Sequence, residues 1–133
     1  MTPQQLDERL DGMYNSVLAV LRHLAWVEFI YVAMIRGDVV ERPAQPWSLD
    51  EAKETLAGTG QALVEIARSF SGDATFHIPW FERDVTVFQG LGQVLTHSMN
   101  HRADINQWLP RFGVESIDDS YIDLVLSEPE TGV

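Results

Sequence analysis

Three histidines are the residues of this sequence best suited to chemistry. His97 and His101 stand four apart, so on a helix they project from one face, one turn apart, and both can reach a single ion. Four histidines in 133 residues produce a chance pair at this spacing in roughly one sequence in ten, so the pair gains meaning from its surroundings. Gly90, Val94, His97, His101, Ile105 and Trp108 fall in one helical stripe, and Ser16, Val20, His23, Val27 and Ile30 form another, so all three rings lie on faces expected to turn inward. A single core-facing histidine such as His23 has a plain reading as a hydrogen-bonded structural residue. Three converging rings have a second reading, because a shared ion satisfies one nitrogen on each and offsets the cost of burying them without partners. With no cysteine in the chain, thiolate ligands, disulfides and a cysteine nucleophile are excluded, and any metal is held through nitrogen and oxygen.

Two carboxylates and a fourth histidine are the remaining candidates for that set. Asp104 lies seven residues beyond His97 and three beyond His101, on their helical face. It suits a fourth ligand, an acceptor for an imidazole N–H or a catalytic base for a metal-bound water, against the plain reading of a solvated carboxylate. Glu28, five positions after His23, is rotated away from that ring and is expected at the bundle edge or in a dimer contact. His77 sits in a stretch with Pro79 and Trp80, reads as a solvent-facing or edge residue, and is left out of the metal set.

The elements that must position these groups are helices. Apolar residues from Leu6 to Met34 recur three or four apart, predicting a helix over residues 6–35, with Asp11-Gly12 as a break near its start and Arg36-Gly37 as its stop. Ser48-Leu49-Asp50-Glu51 reads as a capping box opening a second helix to about Phe70, although Gly58 and Gly60 each cost about 1 kcal/mol within it. Thr75 to Phe81 has strand-like residues, but Pro79 demotes it to a loop or a small hairpin arm covering one end of the bundle. Thr86-Val87-Phe88-Gln89 is another capping box, opening the histidine-bearing helix, which stops near Pro110 and Gly113. A shorter last helix is expected from Ser116 through Leu126. The whole reads as an all-α, up-and-down helical bundle forming one domain over residues 1–127, with a frayed C-terminal tail at 128–133.

At this point the residues carry a resemblance. Leu21-Arg22-His23-Leu24-Ala25-Trp26-Val27-Glu28, ending in Arg36-Gly37, looks like the second bundle helix of the DinB/YfiT-like family. Val94-Leu95-Thr96-His97-Ser98-Met99-Asn100-His101-Arg102-Ala103-Asp104-Ile105, followed by Leu109 and Gly113, resembles that family's metal-binding helix. The resemblance implies a four-helix bundle whose three histidines bind zinc, nickel or a similar ion facially. It also implies frequent homodimers and, in some members, thiol-dependent transferase or isomerase chemistry. Two features depart from the family pattern. Only about twenty residues precede His23, so the first bundle helix is missing or reduced to residues 2–10, and Asp104 stands where members carry glutamine or a neutral residue.

Charge and targeting bound the function. Twenty acidic against nine basic side chains give a formal charge of −11, which repels phosphate backbones and anionic lipid surfaces, so no nucleic-acid partner is expected. The apolar run from Leu24 to Ile35 is interrupted by Glu28 and falls short of the roughly 20 residues needed to span a bilayer, and residues 1–5 lack a signal-peptide pattern, so the reading is cytoplasmic. Two functions follow. One is an enzyme, a thiol transferase or hydrolase in which a three-histidine Zn or Ni ion keeps a coordination position open to activate water or a small thiol. The other is a non-catalytic, metal-stabilised dimeric binding or stress-response protein, its coordination sphere closed by Asp104 or by a partner. An uncovered apolar stripe of Leu21, Leu24, Phe29, Val94 and Leu95 predicts a homodimer in which each chain closes the other's groove, the 6–17 segment being the candidate cover.

Overall fold

The computed structural model describes residues 1–117. Within them run α1 (Pro3–Asp7), α2 (Val17–Arg36), α3 (Leu49–Ser69), β1 (Thr75–Ile78), a 3-10 turn (Pro79–Phe81), β2 (Arg83–Thr86), α4 (Val87–Trp108) and a second 3-10 turn (Leu109–Phe112). The helical bundle predicted from periodicity is present, and within residues 2–10 the helical part is the five residues of α1. The rest of the helix expected after Ser116, and the 128–133 tail, lie outside the described residues.

Local signals set the element ends. Ser48 Oγ accepts from the Glu51 N–H while the Glu51 carboxylate accepts from the Ser48 N–H, and Thr86 and Gln89 reciprocate in the same way. Gly37 takes the left-handed conformation at φ 76° and caps α2 through its N–H to Ala33 and Met34 carbonyls. The predicted helix over 6–35 is divided more deeply than Asp11-Gly12 alone implies. Gly12 is left-handed, and Ser16 starts α2 by accepting from the Ala19 N–H, so residues 8–16 are not helical. Leu6, Leu10 and Met13 nevertheless face inward onto Val17, Val20 and Trp108 of their own chain.

α2 is the central helix, packed by α3 on one flank and α4 on the other. By length and composition it is apolar enough to cross a membrane, more so than the run counted from Leu24, yet its middle carries Glu28, held by side chains of both flanking helices. The apolar interior divides in two. One cluster joins Tyr31, Val32, Ala62, Ile66 and Val94 to the hairpin residues Phe76 and Ile78; the other gathers Met13, Val17, Val20 and Trp108. Fully burying a side chain such as Leu24 contributes about 1.5–3 kcal/mol.

The Thr75–Phe81 stretch resolves as a hairpin arm, β1 antiparallel to β2 with Phe76 opposite Val85. Alternation buries Phe76 and Ile78, and the Phe76 ring rests on α4 at Gly90, where a Cβ would fall 2.4 Å from the ring. Between the two apolar clusters α2 and α4 carry a polar layer, with His23 and Glu28 on one and His97, Ser98, His101 and Arg102 on the other.

Candidate metal centre

α2 supplies His23 to this layer, and α4 supplies His97 and His101 from successive turns. Their Nε2 atoms converge: His23 and His97 are 3.0 Å apart, and His97 and His101 3.1 Å apart. One ligand atom from each ring lies within 4.8 Å of the others. The rings sit less deeply than their apolar stripes imply. His23 is exposed and the other two are half-buried, because the layer opens at the side of α2 rather than into the apolar clusters.

The donor set fits a metal. His97 Nε2 meets two other imidazole nitrogens, and a neutral ring nitrogen offers either one proton or one lone pair, so it cannot serve both contacts in the same sense. An ion held by His23, His97 and His101 would take all three lone pairs, and imidazole nitrogens sharing one ion stand roughly 3 Å apart, as the His23–His97 and His97–His101 pairs do. Burial chiefly, and then the neighbouring rings, hold the His97 imidazole below its ordinary pKa, opposed by Glu28. Burial also lowers His23, followed by His101 and Arg42. Both shifts favour the neutral form that binds metal.

Asp104 enters through a residue the sequence reading missed. Tyr14 donates its hydroxyl proton to Asp104 Oδ2 at 2.9 Å, and its oxygen lies 2.8 Å from His101 Nδ1. Burial first, and the Asp104 hydrogen bond second, push the phenol up to about 12, so it remains a donor at neutral pH. With that proton committed to Asp104, His101 Nδ1–H donates to the phenol oxygen and leaves the Nε2 lone pair facing the other histidines. Asp104 is thus tied to the imidazole through Tyr14 and is not among the three convergent ligand atoms. His97 Nδ1, by contrast, is buried with no hydrogen-bond partner among the described residues. No local pattern marks Tyr14, which is 87 residues from His101 in a non-helical stretch; folding of that stretch over Trp108 brings it there.

Glu28 is also misplaced by sequence reasoning. It is 3 % exposed rather than at an edge, accepting from Thr59 Oγ1 at 2.9 Å and from Ser98 Oγ at 2.7 Å, with Arg102 3.5 Å away. Ser98 and Arg102, four apart on α4, are the pair that could have signalled an acidic partner. The hydroxyls compensate for burying the carboxylate, and the network ties α2 to both neighbours below the histidines. His77 pairs with Asp84 on the hairpin at 2.7 Å, away from the triad, as expected for an edge residue.

Beside His23 a cleft of about 380 Å³ opens between α2 and the loop 38–47, lined by Arg22, Trp26, Arg42 and Trp47. The triad therefore has a solvent-accessible side where a small molecule can approach. No curated protein matches the chain. The profile of the DinB superfamily matches residues 1–105, which include α2, the hairpin and both α4 histidines, and with the bundle and the three convergent imidazoles in place the chain belongs to the DinB superfamily.

Proposed function

We propose that the protein is a metal-dependent enzyme, a thiol transferase or hydrolase, whose ion is nickel or zinc held by His23, His97 and His101. The observation that carries this reading is the convergence of three Nε2 atoms beside an open cleft. Imidazole donors suit late first-row ions, whereas magnesium and calcium favour oxygen. When bound, such an ion supplies Lewis acidity that lowers the pKa of a thiol or of water.

The chain's own groups divide the remaining work. Tyr14 and Asp104 hold His101 in one tautomer and orientation, and are positioning residues. Glu28, Thr59, Ser98 and Arg102 hold α2 and α4 at the separation that brings His23 to the other rings. Trp26 and Trp47 wall the cleft beside His23. The open side favours this reading over a purely structural ion, for which a closed coordination sphere is the usual arrangement.

Elemental analysis of protein purified without a metal-affinity tag tests the site. The expected result is about one nickel or zinc ion per chain, as for a single three-histidine centre, with the content lost in the His97→Ala/His101→Ala double variant. Full metal content in that variant would place the site elsewhere and overturn the proposal.

A further inference from the structure

The cleft beside His23 has an unusual charge. In a chain with 20 acidic and nine basic residues, two of the nine, Arg22 and Arg42, line it, and no aspartate or glutamate is among its lining residues. Among the described residues neither arginine makes a salt bridge, whereas Arg36 and Arg102 do. Arg22 uses its Nε–H on the Trp47 carbonyl, which leaves its terminal N–H groups for another acceptor. Arg42 lies with its guanidinium carbon 5.8 Å from the centre of the Trp26 ring, which supports one face of the cation and leaves its N–H edge unengaged. Trp26 and Trp47, with ring centres 6.0 Å apart, give the cleft flat apolar walls. Phe29 packs edge-on against Trp47 and backs that wall.

We infer that this cleft binds a small carboxylate with a flat apolar body. The carboxylate is held by Arg42 and Arg22 and the body lies against the two tryptophans, next to His23. A guanidinium offers paired N–H donors that match a carboxylate, and the apolar walls reward a flat group that acetate-sized anions lack. That the bound molecule is a substrate, rather than only a ligand, rests on the triad being a metal centre. The cleft defines the substrate class as anionic and partly aromatic or unsaturated.

Calorimetry on the metal-loaded protein with benzoate, benzamide and acetate tests the binding. Benzoate should bind at least tenfold more tightly than either control, equivalent to about 1.4 kcal/mol. Arg42→Gln should remove that preference; it is the variant of choice because Arg42 is exposed, whereas Arg22 also holds the loop. Equal binding of benzamide would overturn the anion requirement, and equal binding of acetate the flat body. The His97→Ala/His101→Ala variant separates the two proposals. Benzoate binding that vanishes there but survives Arg42→Gln would mean that the carboxylate sits on the ion, overturning the arginine site. Arg42-dependent binding in a wild-type protein that takes up no metal would leave the cleft standing and sink the metal centre.

Discussion

Replacing Tyr14 by phenylalanine removes one oxygen and tests how the triad is organised. That oxygen makes two contacts, 2.8 Å to His101 Nδ1 and 2.9 Å to Asp104 Oδ2. The ring itself stays anchored, since its edge-on packing against Trp108 at 5.1 Å does not involve the hydroxyl. Tyr14 is 53 % exposed, so water can reach both former partners, and the folding cost should stay near the ordinary net value of a hydrogen bond, about 1 kcal/mol. Metal binding should suffer more. Without the phenol neither α4 histidine has a partner for its outer nitrogen among the described residues, because His97 Nδ1 already lacks one there. Loss of such an outer partner lowers metal affinity by roughly 10–100-fold, about 1.4–2.7 kcal/mol. Competition with a chromophoric zinc chelator at neutral pH measures this, and melting of the metal-free proteins provides the folding control. Asp104→Asn, which keeps an acceptor for the phenol, should fall between wild type and Tyr14→Phe. If Tyr14→Phe binds zinc within about twofold of wild type, below the range for an outer-partner loss, helix packing alone orients His101 and the role given to Tyr14 and Asp104 is wrong.

Two glycines on α4 should respond oppositely to alanine. At Gly90 the added Cβ would lie 2.4 and 2.5 Å from two Phe76 ring atoms, so overpacking of about 1–3 kcal/mol outweighs the helix-propensity gain and the melting temperature falls. At Gly92 nothing lies within 4 Å, and alanine should stabilise by up to about 1 kcal/mol; a rise at both positions would disprove the docking of the hairpin on α4. The metal-free protein should weaken in acid. The folded-state pKa values of His23 and His97 are lowered, so below the unfolded value near 6.5 the unfolded chain binds more protons; stability present above that pH is lost below it. Chelator-treated samples melted across this range should show it, and an unchanged midpoint would refute it. Leu24 and Val94 of the stripe read as uncovered are buried within the chain, and we propose instead that the exposed apolar strip of Val64, Leu95 and Met99 is a homodimer contact. Light scattering should then give twice the 15.0 kDa of one chain, reverting to one on Leu95→Glu, whereas a stable metal-loaded monomer would rule the dimer out.

Much of this protein is written locally. The capping boxes at Ser48 and Thr86 and the stop at Gly37 depend on residues within four or five positions, and they fall where short-range chemistry puts them. The histidine pair is local in the same sense, since four residues make one helical turn, and the family pattern extends it to His23. Gly58 and Gly60 did not stop α3, because the packing of that helix on α2 outweighs their small propensity cost. What the sequence could not decide are contacts between residues far apart along the chain. Periodicity says that Glu28 is off the His23 face, but only the placement of α3 and α4 shows that Thr59 and Ser98 meet it there and compensate for its burial. Similarly, the Tyr14 hydroxyl reaches His101 because residues 8–16 leave the helical path and fold over Trp108, and Arg42 reaches the cleft because its loop returns along α2. Amino-acid order determined the capped helices and the face each ligand occupies, because both follow from spacings of a few residues; tertiary packing decided where residues 8–16 leave the helical path and which distant polar groups satisfy one another.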